Sequence, residues 1–150
     1  MLQRGKQFYG VWPCPVNCSL CTSASVCTLC APNYFMNPDR SCSPTCLSRF
    51  FENHASRTCI KCPYDCLTCK INGQCLSCST ADFRELSKTT KRCIPIQGYY
   101  ESFTSISIKC PVGCISCVDS TRCTFCDPGY LLDFSGLCSK GCPVRFYPNS

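Results

Sequence analysis

The residues with the clearest chemical potential in this chain are its cysteines, 21 among 150 residues. Many stand in C-x-x-C pairs, of which Cys18/Cys21 and Cys27/Cys30 are the first two. Four thiolates in two such pairs can bind zinc, and a single pair at a helix N-terminus can act as a redox centre. In an oxidising compartment the same thiols form disulfides. The sequence must therefore be weighed as a metal site, a redox site or a covalent scaffold.

The zinc and redox interpretations fit the spacing poorly. Zinc ribbons usually place about 12 or more residues between their two pairs, whereas five residues separate Cys21 from Cys27. A zinc site would also leave other cysteines without a role. A redox pair needs a lowered thiol pKa, usually at a helix N-terminus, and no helix is readable after any pair. We therefore expect disulfides, with no metal and no cofactor.

Other catalytic arrangements are not readable from the sequence. The single histidine, His54, lies in a polar stretch, F-E-N-H-A-S-R, and has no evident orienting partner. The nine carboxylates are scattered, and the chain has no Gly-rich phosphate loop. We predict that the chain is not an enzyme.

One basic cluster, residues 84–92 (R-E-L-S-K-T-T-K-R), contributes to a net charge of +6. A nucleic-acid-binding surface would be expected to show interleaved aromatic residues or a known fold motif, and the cluster has neither. We interpret it as a solvated loop and predict no nucleic-acid partner. A functional basic patch for an acidic partner is the alternative.

The cysteines recur with a fixed period. The pattern C-P-x-x-C-x-x-C-x5-C-x-x-C starts at Cys14, Cys62 and Cys110, a period of 48 residues, and we call its three copies motifs 1, 2 and 3. Such self-similarity predicts small units that each contact mainly their neighbours. The predicted divisions are the end of a preceding unit (1–13), cysteine-rich repeat 1 (14–61), repeat 2 (62–109) and a truncated repeat 3 (110–150).

A difference between the repeats predicts one disulfide. The stretch that leads from motif 1 to motif 2 holds Cys46 and Cys59, whereas the stretch from Cys93 to motif 3 holds no cysteine. Two cysteines that are missing together indicate a lost disulfide, because the loss of one would leave a free thiol. We infer that Cys46 pairs with Cys59. The odd total then leaves Cys142 unpaired, with its expected partner beyond the end of the sequence.

The spacing resembles the cysteine-rich repeats of growth-factor receptor ectodomains, also called furin-like repeats, especially the version in surface proteins of ciliates and other protists. The likeness covers residues 12–150. It implies small disulfide-rich repeats, irregular with short β ladders and little or no helix, that stack into an elongated rod. Sequence alone leaves most of the connectivity open, but the family's connectivity includes Cys46–Cys59. The pairs it implies are Cys14–Cys21, Cys18–Cys27, Cys30–Cys42, Cys46–Cys59, Cys62–Cys69, Cys66–Cys75, Cys78–Cys93, Cys110–Cys117, Cys114–Cys123 and Cys126–Cys138.

Short strands and turns are the expected elements, because the gaps between cysteines are too short for capped helices. Residues 31–35 (A-P-N-Y-F) and 127–131 (D-P-G-Y-L) predict type II turns, in which the third residue needs a positive φ. We predict that an aromatic pair at each junction packs one unit on the next, the alternative being an exposed rim for a partner. These pairs are Phe8-Tyr9, Phe50-Phe51, Tyr99-Tyr100 and Phe146-Tyr147.

Two further signals concern the cell biology of the chain. Asn17-Cys18-Ser19 is an N-glycosylation sequon, and a disulfide at its middle residue is expected to hinder glycan transfer. No signal peptide is readable, and no stretch approaches the roughly 20 apolar residues of a membrane span. A disulfide-rich chain of this kind is expected to be part of a longer extracellular or cell-surface protein.

The leading functional hypothesis is structural: a stiff, disulfide-stapled spacer or filament module that associates with itself or with other surface proteins and carries glycans. The first alternative is a ligand- or glycan-binding part of a receptor ectodomain. The second is an auxiliary domain of a secreted protease. Fold alone does not separate these classes, because function resides in particular sites.

Overall fold

The computed structural model describes residues 11–141, which divide into two compact units on either side of the Lys61–Cys62 bond. The fold is small, disulfide-rich and built from short strands and irregular segments, as the sequence predicts. The described residues form no α-helix, and their only helical element is one 3-10 turn at Thr80–Asp82. Phe83 ends that turn in the left-handed region, with φ of 58°.

The first unit contains six strands among its described residues. They are β1 (Cys18–Ser23), β2 (Val26–Cys30), β3 (Phe35–Met36), β4 (Cys42–Ser43), β5 (Phe50–Asn53) and β6 (Thr58–Lys61). β1 and β2 form an antiparallel hairpin, and the other four form a sheet in the order β4-β3-β6-β5. In that sheet β3 and β6 run parallel and meet at Met36 and Thr58, whereas the other neighbours are antiparallel.

The second unit contains ten strands among its described residues, all in two-stranded antiparallel sheets. They are β7 (Thr68–Cys69), β8 (Cys75–Ser77), β9 (Arg84–Leu86), β10 (Cys93–Pro95), β11 (Tyr99–Tyr100), β12 (Ile108–Lys109), β13 (Cys114–Cys117), β14 (Cys123–Cys126), β15 (Leu131–Leu132) and β16 (Cys138–Ser139). The strands pair two by two in chain order: β7 with β8, β9 with β10, β11 with β12, β13 with β14, and β15 with β16.

The hairpin β11–β12 is joined to motif 3 by backbone hydrogen bonds around one glycine. Gly98 N–H donates to the carbonyl of Ile115 at 2.8 Å, and its own carbonyl accepts from Cys110 N–H at 2.8 Å. Gly98 has φ of 85°, a region that side-chain-bearing residues rarely adopt. The hairpin is therefore docked on the hairpin of motif 3 within the second unit.

Cystines take the place of an aliphatic core. Of the twelve buried hydrophobic residues in the described part of the chain, ten are cysteines, and the others are Phe35 and Met36. One cluster in the first unit packs Tyr34 against Cys27, Cys30 and Met36. A cluster in the second unit has Cys110, Cys114 and Cys123 at its centre. Small units that bury so little apolar surface depend on covalent cross-links.

Both predicted proline turns are present. Tyr34 N–H donates to the carbonyl of Ala31 at 3.1 Å, and Asn33, the third residue of the turn, has φ of 66°. The matching turn in the second unit closes with a bond of 2.9 Å and places Gly129 at φ of 88°. A positive φ at this position is what a type II turn requires.

Candidate functional site

The described residues contain ten disulfides, and their pairing is the one that the family resemblance implies. The bonds are Cys14–Cys21, Cys18–Cys27, Cys30–Cys42, Cys46–Cys59, Cys62–Cys69, Cys66–Cys75, Cys78–Cys93, Cys110–Cys117, Cys114–Cys123 and Cys126–Cys138. Cys142 lies outside the described residues. Disulfides at this density are typical of proteins that fold in an oxidising compartment.

The two cysteines of each C-x-x-C pair bond to different partners. In motif 1, Cys18 bonds to Cys27 while Cys21 bonds back to Cys14, so the two loops interlock. In the hairpin β1–β2, Cys18 lies opposite Cys30 and Cys21 lies opposite Cys27, so the Cys18–Cys27 bond runs diagonally across the hairpin and the directly opposed cysteines are not bonded to each other. The hairpin β13–β14 brings the corresponding cysteines of motif 3 opposite each other in the same way.

The oxidation state of the cysteines determines whether they can bind metal or act as thiols. Sulfur atoms come close together, for example those of Cys18, Cys27 and Cys42, which lie within 4.8 Å of one another. Every cysteine from Cys14 to Cys138 is disulfide-bonded, so these sulfurs are not thiolates. The thiolate is the form that binds metal and attacks electrophiles. The chemistry that the arrangement supplies is cross-linking.

Each disulfide closes a short loop, with 7 to 15 residues of sequence separation. In the chain-entropy model, loops of this length stabilise the folded state by about 2.5–3 kcal/mol each. The contributions do not simply add, because overlapping loops restrict the same unfolded chain. The bonds also prevent extensive unfolding, which protects a loop-rich chain from proteolysis.

The two junctions that lead to motifs 2 and 3 are built differently. In the first, Cys46–Cys59 links the start of the junction to β6, and Glu52 on β5 faces Cys59 across the hairpin. Glu52 Oε1 accepts from Cys46 N–H at 3.4 Å. The second junction contains no cysteine between Cys93 and Cys110. Its only carboxylate is Glu101, which pairs with Arg84 of β9.

Repeat 2, residues 62–109, contains two ion pairs. Arg84 pairs with Glu101, and Arg92 pairs with Asp65. The side chains of Arg84 and Asp65 are 0% and 3% exposed. The Arg84 guanidinium also lies over the ring of Tyr64, 5.6 Å from its centroid, a cation–π distance. We call these five residues the ionic cluster.

The two ion pairs shift the pKa values of their four members toward the charged forms. Hydrogen bonds from Arg84 hold the pKa of Glu101 below its usual range, against the opposing effect of burial. Burial raises the pKa of Asp65, but hydrogen bonds from Arg92 and from the Cys93 amide lower it more, so the net shift is downward. The pKa values of Arg84 and Arg92 are raised by the same contacts. Both pairs are thus fully ionised at neutral pH.

The solvated-loop interpretation of residues 84–92 is wrong for its first arginine. Arg84 is 2% exposed as a whole residue, because it starts β9 and its side chain turns inward to the hairpin β11–β12. Arg92 is partly engaged with Asp65, while Lys88 and Lys91 are exposed. Sequence analysis missed Arg84, Asp65 and Glu101 as interacting residues. The missing disulfide marks a junction that needs another link, but no local pattern singles out these side chains.

The aromatic pairs of the two described junctions are half-buried. Phe50 and Phe51 lie on β5, opposite Lys61 and Ile60. Tyr99 stacks on Phe83, with ring centroids 4.3 Å apart. The pairs Phe8-Tyr9 and Phe146-Tyr147 lie outside the described residues.

Tyr100 contacts the segment that follows its own repeat. It packs against the cystine cluster of Cys110, Cys114 and Cys123. This contact belongs to the second unit and joins the β11–β12 hairpin to motif 3.

The sequon asparagine sits in a tight turn. Asn17 is half-buried with φ of 61°, and its carbonyl accepts from Ala31 N–H at 2.8 Å. The middle residue of the sequon, Cys18, is bonded to Cys27. The backbone of the acceptor residue is therefore held beside a closed disulfide loop.

His54 lies at an exposed position beside a small hollow. Its ring contacts the edge of Phe35, with centroids 5.0 Å apart. The hollow measures about 160 Å³ and is also lined by Tyr34 and Arg57. Arg57 is engaged through its guanidinium, which donates to the carbonyl of Cys30 at 3.2 Å. Because the described cysteines are all oxidised, His54 has no thiol among them to activate.

The fold and the site together define a small disulfide-rich, mostly β protein module. No protein-family model matches the chain, and no curated protein matches it significantly. Among residues 11–141 there is no helix long and apolar enough to cross a membrane.

Proposed function

We propose that the chain is an extracellular structural module, a disulfide-stapled segment of a larger surface or secreted protein that assembles into a coat or filament. The observation that carries this proposal is the succession of three five-cysteine motifs, each closed by the same internal pairing. Units of this kind transmit load through covalent bonds and need no large core. In this proposal the motifs are furin-like repeats. The partners of the chain are other copies of itself.

The strands supply a physical basis for self-association. Six of the seven sheets in the described chain have only two strands, so their outer backbone groups are not paired within a sheet. Open edges can pair with strands of other molecules. Exposed apolar side chains accompany them: Phe125 on β14 is 71% exposed, and Leu131 and Leu132 on β15 are also exposed. Burial of these side chains between copies would favour assembly.

Sedimentation of the oxidised full chain tests the proposal. We expect concentration-dependent oligomers, with fibres or sheets visible by electron microscopy at high concentration. Phe125→Lys should weaken the association at least tenfold, because it places a charge on the exposed strand face. Val112→Lys is the matched control, since Val112 is 84% exposed but lies in a turn. A monodisperse monomer at every concentration would refute the assembly.

A binding module is the second candidate, and Trp12 favours it. Trp12 is 82% exposed and lines a groove of about 460 Å³ together with residues 21–24. Large aromatic faces at a groove can stack on sugar rings or anchor a protein ligand. In this case the chain would recognise a ligand or glycan as part of a receptor ectodomain.

A glycan-binding screen of the same oxidised chain separates the two candidates. A binding module should retain specific glycans, and Trp12→Ala should abolish retention without changing the sedimentation profile. A structural module should show the reverse: no specific retention, and assembly that depends on Phe125. Both assays use the same preparation, so a positive result in one shows that the protein was intact in the other.

A further inference from the structure

The hairpin β11–β12 lacks the disulfide that its counterpart β5–β6 possesses. In β5–β6, Glu52 follows the aromatic pair and faces Cys59. In β11–β12 the residue after the aromatic pair is Glu101, and Ser107 stands three residues before motif 3, as Cys59 stands three residues before motif 2. The glutamate is thus retained, while a serine occupies the place of the cysteine.

Ser107 does not replace the lost bond. It is 2% exposed, and its hydroxyl finds no hydrogen-bond partner among the described residues. Only its backbone is held, by the N–H that donates to the carbonyl of Asp82 at 3.0 Å. The segment must therefore be fixed by another group.

That group is the guanidinium of Arg84, all of whose donors are used. Nε donates to the carbonyl of Ser105 at 2.9 Å. Nη1 donates to the carbonyl of Cys93 at 3.1 Å and to Glu101 Oε2 at 2.9 Å. Nη2 donates to Glu101 Oε1 at 2.6 Å and to the carbonyl of Thr104 at 2.8 Å. Five bonds from one buried side chain join β9 and β10 to the loop of the hairpin.

The loop that this side chain holds is in a strained conformation. Phe103, at its tip, has φ of 58° and is 79% exposed. A left-handed conformation is unfavourable for an aromatic residue, and burial of the ring does not compensate for it. The Phe103 N–H donates to Glu101 Oε1 at 2.9 Å. The same carboxylate therefore accepts from Arg84 and fixes the strained residue.

We propose that Arg84 and Glu101 form an ionic clasp that replaces the junction disulfide and is released by acid, not by reductants. Protonation of Glu101 removes the charge that pairs with Arg84 and weakens the bonds that hold Phe103. The loop of residues 101–107 then opens, while the ten disulfides preserve the rest of the fold. The equivalent first junction, closed by Cys46–Cys59, does not respond to acid. The proposal depends only on this hairpin and is independent of self-assembly.

The direction of the pH response follows from the groups around Glu101. Arg84 lowers its pKa most, burial opposes this, and the Phe103 amide lowers it further. Asp65 is the nearby like charge and raises the pKa of Glu101, while Arg92 and Tyr64 complete the cluster. A carboxylate whose pKa is depressed on folding stabilises the fold above its ordinary pKa of about 4.3 and loses this effect as pH falls through the folded value. The clasp is closed at neutral pH and opens as the pH falls through the lowered pKa of Glu101.

Hydrogen exchange read by mass spectrometry on the oxidised full chain tests the clasp. Protection factors, corrected for the intrinsic pH dependence of exchange, are compared at pH 7 and pH 3 for residues 99–109 and 50–61. We expect protection in 99–109 to fall about tenfold or more at pH 3 and protection in 50–61 to stay constant, because local opening determines protection. Equal changes in both segments, or none in 99–109, would overturn the proposal.

Substitutions assign the effect to Glu101. Glu101→Gln should show the loss of protection in 99–109 already at pH 7, with little further change at pH 3. Glu52→Gln in the first hairpin is the matched control and should leave both segments unchanged. If acid acted through Asp65 instead, Glu101→Gln would retain wild-type protection at pH 7, and the proposal would fail. If a variant folds poorly, the wild-type pH comparison still tests whether acid opens 99–109 and leaves 50–61 closed.

Discussion

Arg92 binds the carboxylate of Asp65 through two parallel hydrogen bonds, from Nε to Oδ2 at 2.8 Å and from Nη2 to Oδ1 at 2.5 Å. The Cys93 N–H adds a third at 3.0 Å. Asp65 stands one residue before the second cysteine of motif 2, where motifs 1 and 3 have Asn17 and Gly113 in left-handed conformations. The carboxylate thus joins the start of motif 2 to strand β10, a link across 28 residues of sequence.

Replacement of this carboxylate should destabilise the second unit. Asp65→Asn keeps the shape but loses the charge, so the buried site retains one acceptor oxygen for three donors. Because Arg92 is 45% exposed and can be rehydrated, we expect a loss of about 1–3 kcal/mol in the free energy of unfolding. Guanidinium titration of the oxidised protein measures it. Asp119→Asn is the control: Asp119 Oδ1 accepts from Thr121 in its own bend, and asparagine keeps that acceptor, so the midpoint should shift much less. Equal midpoints for both variants would contradict the prediction.

The ring of Tyr130 leaves no room for a side chain at Gly113. A Cβ atom at this glycine would lie 2.4 Å from Tyr130 Cδ1, and its φ is 75°. Gly113→Ala should therefore cost about 1–3 kcal/mol, from backbone strain and from displacement of the ring. Gly98→Ala is the control, since φ there is 85° but no atom lies within 4 Å of the added carbon. The difference between the two denaturation midpoints measures the steric part, and it should vanish in a Tyr130→Ala background.

The parts of the fold that sequence predicts are those with local signals. The proline turns follow from residue type, because Asn33 and Gly129 can adopt the positive φ that the turns need. The Cys46–Cys59 bond follows from two cysteines that are missing together in the next repeat. The absence of α-helices in residues 11–141 follows from the short gaps between cysteines.

The ionic cluster had no such signal. Arg84 and Glu101 are 17 residues apart, and no periodicity relates them. A charged residue in a polar segment is usually solvated, so composition favoured an exposed loop at residues 84–92. Tertiary contacts bury Arg84. Strand β9 pairs with β10, and the loop of β11–β12 presents carbonyls and a carboxylate that the five donors of a guanidinium can satisfy together.

Thiol counting tests the pairing as a whole. Alkylation of the unreduced, denatured chain should label one cysteine, Cys142, because the other 20 of the 21 are paired. After reduction all 21 should react, and the mass of the chain should rise by 20 hydrogens before labelling. Peptide mapping locates the label. Two or more labelled cysteines without reduction would contradict the pairing.

Glycosylation of Asn17 should compete with closure of the disulfide beside it. The asparagine is half-buried in a left-handed turn, and Cys18, the middle residue of its sequon, is bonded to Cys27. Glycan transfer requires the sequon to reach an enzyme's active site, so we expect it only while this loop is open. Cys18→Ser with Cys27→Ser keeps an N-x-S sequon and should raise the occupied fraction in chains secreted from eukaryotic cells, read as the mass removed by a peptide N-glycosidase. The equivalent pair in motif 3, Cys114→Ser with Cys123→Ser, should leave occupancy unchanged, because it slows folding without opening the loop at Asn17. An increase of equal size in both double variants would show that slow folding alone determines occupancy.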